Sequence, residues 1–564
     1  MIPNEIIISK PRNINEWSLD PGPIRQQPNS EFRGKQNEYG GIYPHVYVRT
    51  IGQPKNVNEK YSSRICKGIV QQLKKYCENS TLHGLRYVGD SHLTIGERIF
   101  WFISFSMAIC FAAYYISNIY TKWKSSPVII SFSPFDAELN SIPFPAITIC
   151  NMNQAKRNEA ERILKEGSSI ERKLLDDSCN GNTTFDNSEN ISWESLRDFL
   201  VKVGNSCSDM LHSCQWGAEK LDCNDIFNND LTDEGLCCSF NRLPPEKIFR
   251  NSKDISILNQ TYPNNVYDWD PEIGFTNTDN GDSIPKRPLG AGAHLGLSVI
   301  LDANVENYYC SSTRSTGFKV ILSNPIETPK MADFGFLISP GFETRISIEP
   351  AIREATSALR DIPIEKRQCY FSNERPLQYY RKYSKYNCDS ECKIINSYAS
   401  CNCVPYYLPH NESMKICSLT NRCFERAKGI LDLRPRMRKL LNQKSADCHC
   451  FNSCNSVEYS VLKTAAPLRR IVNHNHSDEE VRKNFVGLSA FFSSNIYTKT
   501  SKKPIYNFTD FLANTGGLLS FLIGFSLLSI VELLFYVFWL NWKKYVINHQ
   551  TDKVPDAPVF TFTN

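Results

Sequence analysis

Apolar residues are scattered thinly among polar ones until Ile99, where IFWFISFSMAICFAAYYISNIY runs to about Tyr120. They gather at comparable length only once more, from Phe511 to Leu540, as FLANTGGLLSFLIGFSLLSIVELLFYVFWL. At about 1.5 Å per helical residue, each run spans the ~30 Å hydrocarbon core of a bilayer. Two transmembrane helices are predicted, within 98–120 and 504–541. Between them, β-branched and alternating stretches predict strands: VIISF after Lys122, FPAITIC at Phe144 to Cys150, HLGLSVILDA at His294 to Ala303, GFKVILSNP at Gly317 to Pro325 and TRISIEP at Thr344 to Pro350. EAERILKEG reads as a short helix. Strands interleaved with helical, cysteine-rich segments predict an α+β domain over 121–503. Residues 1–60, polar and rich in Pro, Asn and Gln, predict a disordered tail. Residues 61–97 are more ordered in character, with Ile65, Ile69 and Leu73 at helical intervals, and 542–564 form a second tail.

Cysteine decides the topology. All of the 21 cysteines except Cys66, Cys77 and Cys110 lie between the two apolar runs. That density belongs to an oxidising compartment, which places the large domain outside the cell and both termini in the cytosol of a multi-pass plasma-membrane protein. The sequons at Asn182, Asn190, Asn259, Asn411, Asn475 and Asn507 agree, although Asn79 makes one on the cytosolic side. Charge does not decide: the net value is only +5, and Lys or Arg flanks both ends of each run, Arg86 and Arg98 against Lys122 and Lys124, Lys502 and Lys503 against Lys543 and Lys544. With a polar start, the first span itself would serve as the signal. The mean hydropathy of -0.37 fits a protein whose mass lies mostly outside the bilayer.

The last third of the domain carries a cysteine mirror. Cys388-x3-Cys392 and Cys401-x-Cys403 are answered by Cys448-x-Cys450-x3-Cys454. Reversed spacings suit rungs between antiparallel segments. Zinc held by Cys-x-Cys pairs beside His449 is the competing reading, disfavoured because structural zinc sites use Cys-x2-Cys spacing in reducing compartments; no metal site is predicted. The second apolar run is unusual in another way. It holds Gly516, Gly517, Gly524, Ser526 and Glu532, and an ionisable group at membrane depth costs at least about 2.5 kcal/mol. A helix facing lipid alone has no use for them, so the run reads as lining a path for water or ions. Close helix packing is the plainer reading of the small residues.

Together these residues resemble the degenerin/epithelial sodium channel (DEG/ENaC) family, and most of all its insect pickpocket branch. The resemblance runs from about His83 to Leu540. It rests on His83-Gly84 before the first span, FPAITICN after it, GLCCSFN at Gly235 to Asn241, CNCVP at Cys401 to Pro405 with CHCFNSC, and TGGLLSFLIGFSLLSIVE in the second span. It implies three subunits, of one chain or several, around one axis. Gly524, Phe525 and Ser526 would form the selectivity filter, since a small, helix-weakening triplet opens backbone and hydroxyl oxygens to an ion. Glu532 would add a ring of carboxylates that concentrates cations. Ala513, Asn514, Gly516 and Gly517 match the gate region, with Ala513 at the degenerin position; Asn514 departs from acid-sensing members, which have an acid there. His83 and Gly84 match a cytosolic gating motif.

By the same resemblance, a thumb-like ladder over 369–454 pairs Cys369 with Cys454, Cys388 with Cys450, Cys392 with Cys448, Cys401 with Cys423 and Cys403 with Cys417. Cys150 with Cys237 and Cys214 with Cys223 follow likewise. Cys179, Cys207, Cys238 and Cys310 remain without assigned partners. Trp123 is expected as an aromatic hinge between thumb and membrane, although the tryptophan expected before Cys369 is replaced by IEKRQ.

The function implied is a sodium-preferring cation channel subunit, not an enzyme. It would need no cofactor beyond permeant Na+ and other monovalent cations, and its partners would be membrane lipid, like subunits and an unknown extracellular ligand, not nucleic acid. The alternative is a non-conducting two-pass receptor or adhesion protein, which needs only a greasy anchor. A tethered hydrolase lacks its motifs: there is no G-x-S-x-G elbow, HExxH helix or P-loop.

Overall fold

The structure, a computed structural model, describes residues 70–539 and Trp542, except 126–127, 134–135, 181–190, 252–268, 276–283, 434–436, 438–447, 470–476 and 506. The tail over 1–60, Ile65, Ile69, Cys66, the rest of 542–564 and the sequons at Asn182, Asn190, Asn259 and Asn475 lie outside the described residues. Asn411 is half-buried, and Asn507 is exposed at the start of a helix.

One unbroken helix, Ile95–Ser125, is long and apolar enough to cross a membrane, and its outer surface is exposed apolar side chains. The second apolar run is different. It forms Phe508–Ile523 and Leu527–Leu534, set at 70° to one another, and ends in a π-helical turn, Phe535–Trp539. The two pieces meet the length and hydropathy of a span only when taken together.

The central sheet has eight strands. Its order is Val128–Phe132, Lys499–Pro504, Phe342–Ala355, Phe485–Phe492, Leu297–Asp302, Leu211–Trp216 and Glu219–Leu221, with Ser456–Pro467 paired to Phe342–Ala355. Alternation drives it: Leu297, Val299 and Leu301 are buried while Ser298, Ile300 and Asp302 are only partly so. A second sheet of five strands contains Ala146–Asn151, Gly235–Phe240 and Phe318–Ser323. Its inner residues Ile147, Ile149 and Phe240 join Val299, Ile346 and Phe492 in one core. Phe144 knits the two sheets, lying edge-on to Trp216 at 4.8 Å and Phe492 at 5.5 Å. Helix Arg157–Glu166 forms where EAERILKEG predicts one.

The strand expected at Thr344 to Pro350 proves twice as long, and it holds Pro350 in its middle. Phe342–Ala355 pairs on one flank with Phe485–Phe492 only as far as Ile348 and with Lys499–Pro504 only from Ile352. Pro350 sits where the strand changes partner, so the missing N–H breaks no ladder there.

Val128–Phe132 and Lys499–Pro504 are antiparallel neighbours, with Val128 opposite Pro504. One strand follows the first apolar helix and the other precedes the second, so the sheet brings the adjoining ends of the two apolar segments together. Trp123 accordingly stacks on Phe511 at 5.3 Å. Beside Trp123, Lys366 of the IEKRQ segment donates to the carbonyl of Lys124 at 3.1 Å.

Eighteen cysteines form nine disulfides. The ladder joins Cys369 to Cys454, Cys388 to Cys450, Cys392 to Cys448, Cys401 to Cys423 and Cys403 to Cys417. The mirrored spacing is only partly a set of rungs: two bonds join the clusters, Cys388–Cys450 and Cys392–Cys448, running antiparallel, whereas Cys401 and Cys403 turn to Cys423 and Cys417, and Cys454 to Cys369. Cys388 and Cys392 lie one turn apart on helix Lys385–Cys401, a rise of roughly 6 Å; Cys448 and Cys450 flank His449 in non-helical chain that turns through the left-handed region at φ 46°. Cys150 pairs with Cys237 and Cys214 with Cys223. The four left without partners by the sequence form Cys179–Cys310 and Cys207–Cys238. Cys237 and Cys238 are successive residues of one strand and point to opposite faces, which sends them to different partners. Cys77 and Cys110 are free.

Asp233, in the turn before Gly235–Phe240, accepts N–H bonds from Met331 at 2.8 Å and Ala332 at 3.2 Å. Burial pushes its carboxyl up to about 6 against those bonds, and neighbouring Asp333 adds to the rise. A carboxylate raised by folding contributes stability below its unfolded range that is lost as pH climbs through the folded value. Wild type should therefore gain on Asp233→Asn as pH falls from about 6.5 to 4, by about 2 kcal/mol after allowing for partial exposure. Parallel melting-temperature profiles for the two proteins across that range would contradict the assignment.

Candidate pore site

The break in the second apolar run coincides with Gly524-Phe525-Ser526. Helix Phe508–Ile523 begins on Asn507, whose N–H is accepted by Asp510, and ends at Gly524 in the left-handed region (φ 66°). There the N–H groups of Gly524 and Phe525 fold back onto the carbonyls of Ser520 and Leu519, a common way to stop a helix with glycine. Ser526 is extended and starts the next helix; its N–H donates to the hydroxyl of Ser529 at 3.2 Å. Ser526 is exposed in the single chain, whereas Ser529 is buried. The triplet is thus a stretch of non-helical backbone within an apolar run, which is stable at membrane depth only beside protein or a water-filled cavity.

The segment before the first span docks against this break. The N–H of His83 donates to the carbonyl of Ile523 at 2.9 Å. The imidazole lies on Gly524 so closely that a Cβ there would stand 2.8 Å from three ring atoms. Gly84 turns in the left-handed region (φ 83°) against Trp101 of the first span, on which Tyr87 also stacks at 4.6 Å. Glu532 lies on the second helix, one and a half turns beyond Ser526. Its Oε2 accepts from both the N–H of Thr81 (3.2 Å) and the hydroxyl of Thr81 (3.0 Å). The same hydroxyl meets that of Ser529 at 3.2 Å. Glu532, expected as a pore carboxylate, is therefore also an anchor for the upstream segment.

Thr81 and Ser529 are the residues that sequence reasoning missed. Both signals were present: Thr81 stands two residues before His83 in STLHGL, and Ser529 is a hydroxyl among LLSIVELL. Contact across more than 400 positions is what makes them legible.

Ala513, Asn514, Gly516, Gly517 and Ser520 share the exposed side of Phe508–Ile523, while Thr515 and Ile523 are buried. A Cβ on Gly516 or Gly517 would meet nothing within 4 Å. This leaves a continuous stripe of small side chains open on the surface, at the i, i+3, i+4, i+7 spacing of one helix face.

The architecture and this site define a membrane ion-channel subunit with a disulfide-rich α+β domain. The profile of the amiloride-sensitive sodium channel family matches residues 76–536, and the chain belongs to that family. Pickpocket protein 28 of Drosophila melanogaster is 36% identical over 477 residues, which cover 82% of this chain and 77% of that protein. Sodium channel protein Nach of the same fly is 27% identical over 499 residues, covering 84% and 88%. Acid-sensing ion channel 4 of Rattus norvegicus is 24% identical over 497 residues, covering 84% and 80%. The family match spans the disulfide ladder and the site, and the chain is a sodium channel subunit.

Proposed function

We propose that three such subunits, identical or mixed, surround a cation path in the plasma membrane, with both termini cytosolic. Gly524, Phe525 and Ser526 form its narrowest part. The observation that carries this reading is the helix break at Gly524–Ser526 with His83 seated upon it. Three copies of the break place hydroxyl and carbonyl oxygens around one axis, and the nearby Glu532 carboxylates favour cations over anions. The bent pair Phe508–Ile523 and Leu527–Leu534 then acts as one span, and Ala513, Asn514, Gly516 and Gly517 face the copies across the axis. Opening is driven by a sensory stimulus, chemical, osmotic or mechanical, received by the extracellular domain. The central sheet supplies the link, because neighbouring strands lead directly into both spans.

Ser526→Ala removes three hydroxyls at once. It is expected to change the sodium-to-potassium permeability ratio at least about twofold, a difference of about 0.4 kcal/mol. Reversal potentials under bi-ionic conditions measure it. An unchanged ratio in a conducting mutant removes Ser526 from the filter.

A further inference from the structure

Three hydroxyls and a carboxylate meet beside the helix break and form one hydrogen-bonded chain. The Ser526 N–H donates to the Ser529 hydroxyl at 3.2 Å, and the two hydroxyl oxygens stand 3.4 Å apart. The Ser529 hydroxyl meets that of Thr81 at 3.2 Å, and Thr81 donates its proton to Oε2 of Glu532 at 3.0 Å. The Thr81 N–H donates to the same oxygen at 3.2 Å, which holds Thr81 in place. Ser529, in the middle of the chain, is buried, whereas Ser526 at its end is exposed. Among the described residues, only the Ser529 side chain lies within hydrogen-bonding distance of the Ser526 hydroxyl.

A hydroxyl has one proton to give and two lone pairs to receive, while a carboxylate only receives. That asymmetry sets every direction in the chain. Glu532 takes the Thr81 proton, so at the contact between Thr81 and Ser529 the donor is Ser529. With its proton committed there, Ser529 accepts the Ser526 N–H and cannot donate to the Ser526 hydroxyl. The Ser526 oxygen thus keeps both lone pairs clear of protein donors. Lone pairs are what a cation needs in exchange for its water, and a proton pointed at it would repel it. A side chain at position 532 that can donate reverses the order: its N–H goes to Thr81, Thr81 donates to Ser529, and Ser529 caps the Ser526 oxygen. We propose that the Glu532 carboxylate, acting through Thr81 and Ser529, holds the Ser526 hydroxyl as an acceptor towards permeant cations, which makes Thr81 and Ser529 positioning residues for ion selection. The proposal rests on the reading of Gly524 to Ser526 as the narrowest part of the path, and it gives Glu532 a second task besides attracting cations.

The test measures sodium-to-potassium permeability ratios under bi-ionic conditions in cells expressing the full chain, with surface biotinylation and with Ser526→Ala as the reference. Thr81→Val and Ser529→Ala each break the chain and are expected to shift the ratio at least about twofold, in the direction of Ser526→Ala. Thr81→Ser and Ser529→Thr keep the hydroxyls and should retain the wild-type ratio, which a loss of packing alone would not predict. Glu532→Gln should shift the ratio in the wild-type background and much less beside Thr81→Val, where the chain is already cut; a carboxylate acting only by its field would shift it equally in both. Should Ser529→Ala fail to reach the surface, Thr81→Val, which leaves the buried serine in place, carries the test. Wild-type ratios in Thr81→Val and Ser529→Ala while Ser526→Ala alters the ratio would overturn the proposal and leave the filter reading standing, as would equal shifts by Glu532→Gln in the two backgrounds. A silent Thr81→Val at normal surface expression would assign its contacts to opening instead of selection and overturn it as well. An unchanged ratio in conducting Ser526→Ala would remove the filter reading, and the proposal with it.

Discussion

Ala513→Phe is expected to produce a standing sodium current without any stimulus, more than a hundredfold above wild type at equal surface expression. Ala513 is exposed in the single chain, on the same open helix side as Gly516 and Gly517. A larger side chain therefore costs the isolated subunit little, and any large effect must come from like subunits across the axis. If three helices approach there only in the shut state, overpacking penalises that state alone, typically by 1 to 3 kcal/mol per site. Even about 1 kcal/mol in each of three subunits totals about 3, which is more than a hundredfold in a two-state equilibrium. Whole-cell recording with surface biotinylation measures it. A mutant that reaches the surface and carries no current beyond wild type, alone or beside plausible partner subunits, removes Ala513 from the gate.

The parts of the molecule legible from the sequence are those whose cause is local. Ile95–Ser125 follows from an unbroken apolar run, and Leu297–Asp302 from alternation within LSVILD. The cysteine clusters around Cys388, Cys392, Cys448 and Cys450 announce a relation between two segments, which two antiparallel bonds make, but the partners of Cys401, Cys403 and Cys454 do not follow from the mirrored spacing. Pro350 illustrates the opposite case. A proline argues against a long strand unless the change of sheet partner beside it is known, and that change depends on Phe485–Phe492 and Lys499–Pro504, well over a hundred residues away. The site divides in the same way. Glycine and serine inside an apolar run announce a break, whereas the contacts of Thr81 with Glu532 and Ser529 join the two ends of the chain and have no local pattern. Trp123 was readable as an interfacial aromatic, but its partner was not. Phe511 receives it because adjacent strands of one sheet bring the two apolar segments together.

That convergence makes the contact between Gly524 and His83 the most exacting test of the pore. Gly524→Ala is expected to reduce current at least tenfold while the protein still reaches the surface. Two causes act together. The residue sits at φ 66°, where a side chain costs roughly 1 kcal/mol or more. Its new Cβ would also stand 2.8 Å from the His83 ring, closer than packed atoms tolerate, so ring or backbone must move. Only the second cause depends on His83. Combining Gly524→Ala with His83→Ala removes the collision and leaves the backbone strain, so the double mutant should conduct better than the product of the single effects allows. The expected non-additivity is about 1 kcal/mol per subunit, and it multiplies across three subunits in the current. Strictly additive losses would show that the imidazole does not rest on Gly524 in the conducting channel. In that case the pre-span segment influences the filter through the His83 N–H bond to Ile523 and the Thr81 contacts with Glu532 and Ser529, and Thr81→Val, which deletes the hydroxyl contacts, should by itself reduce the current.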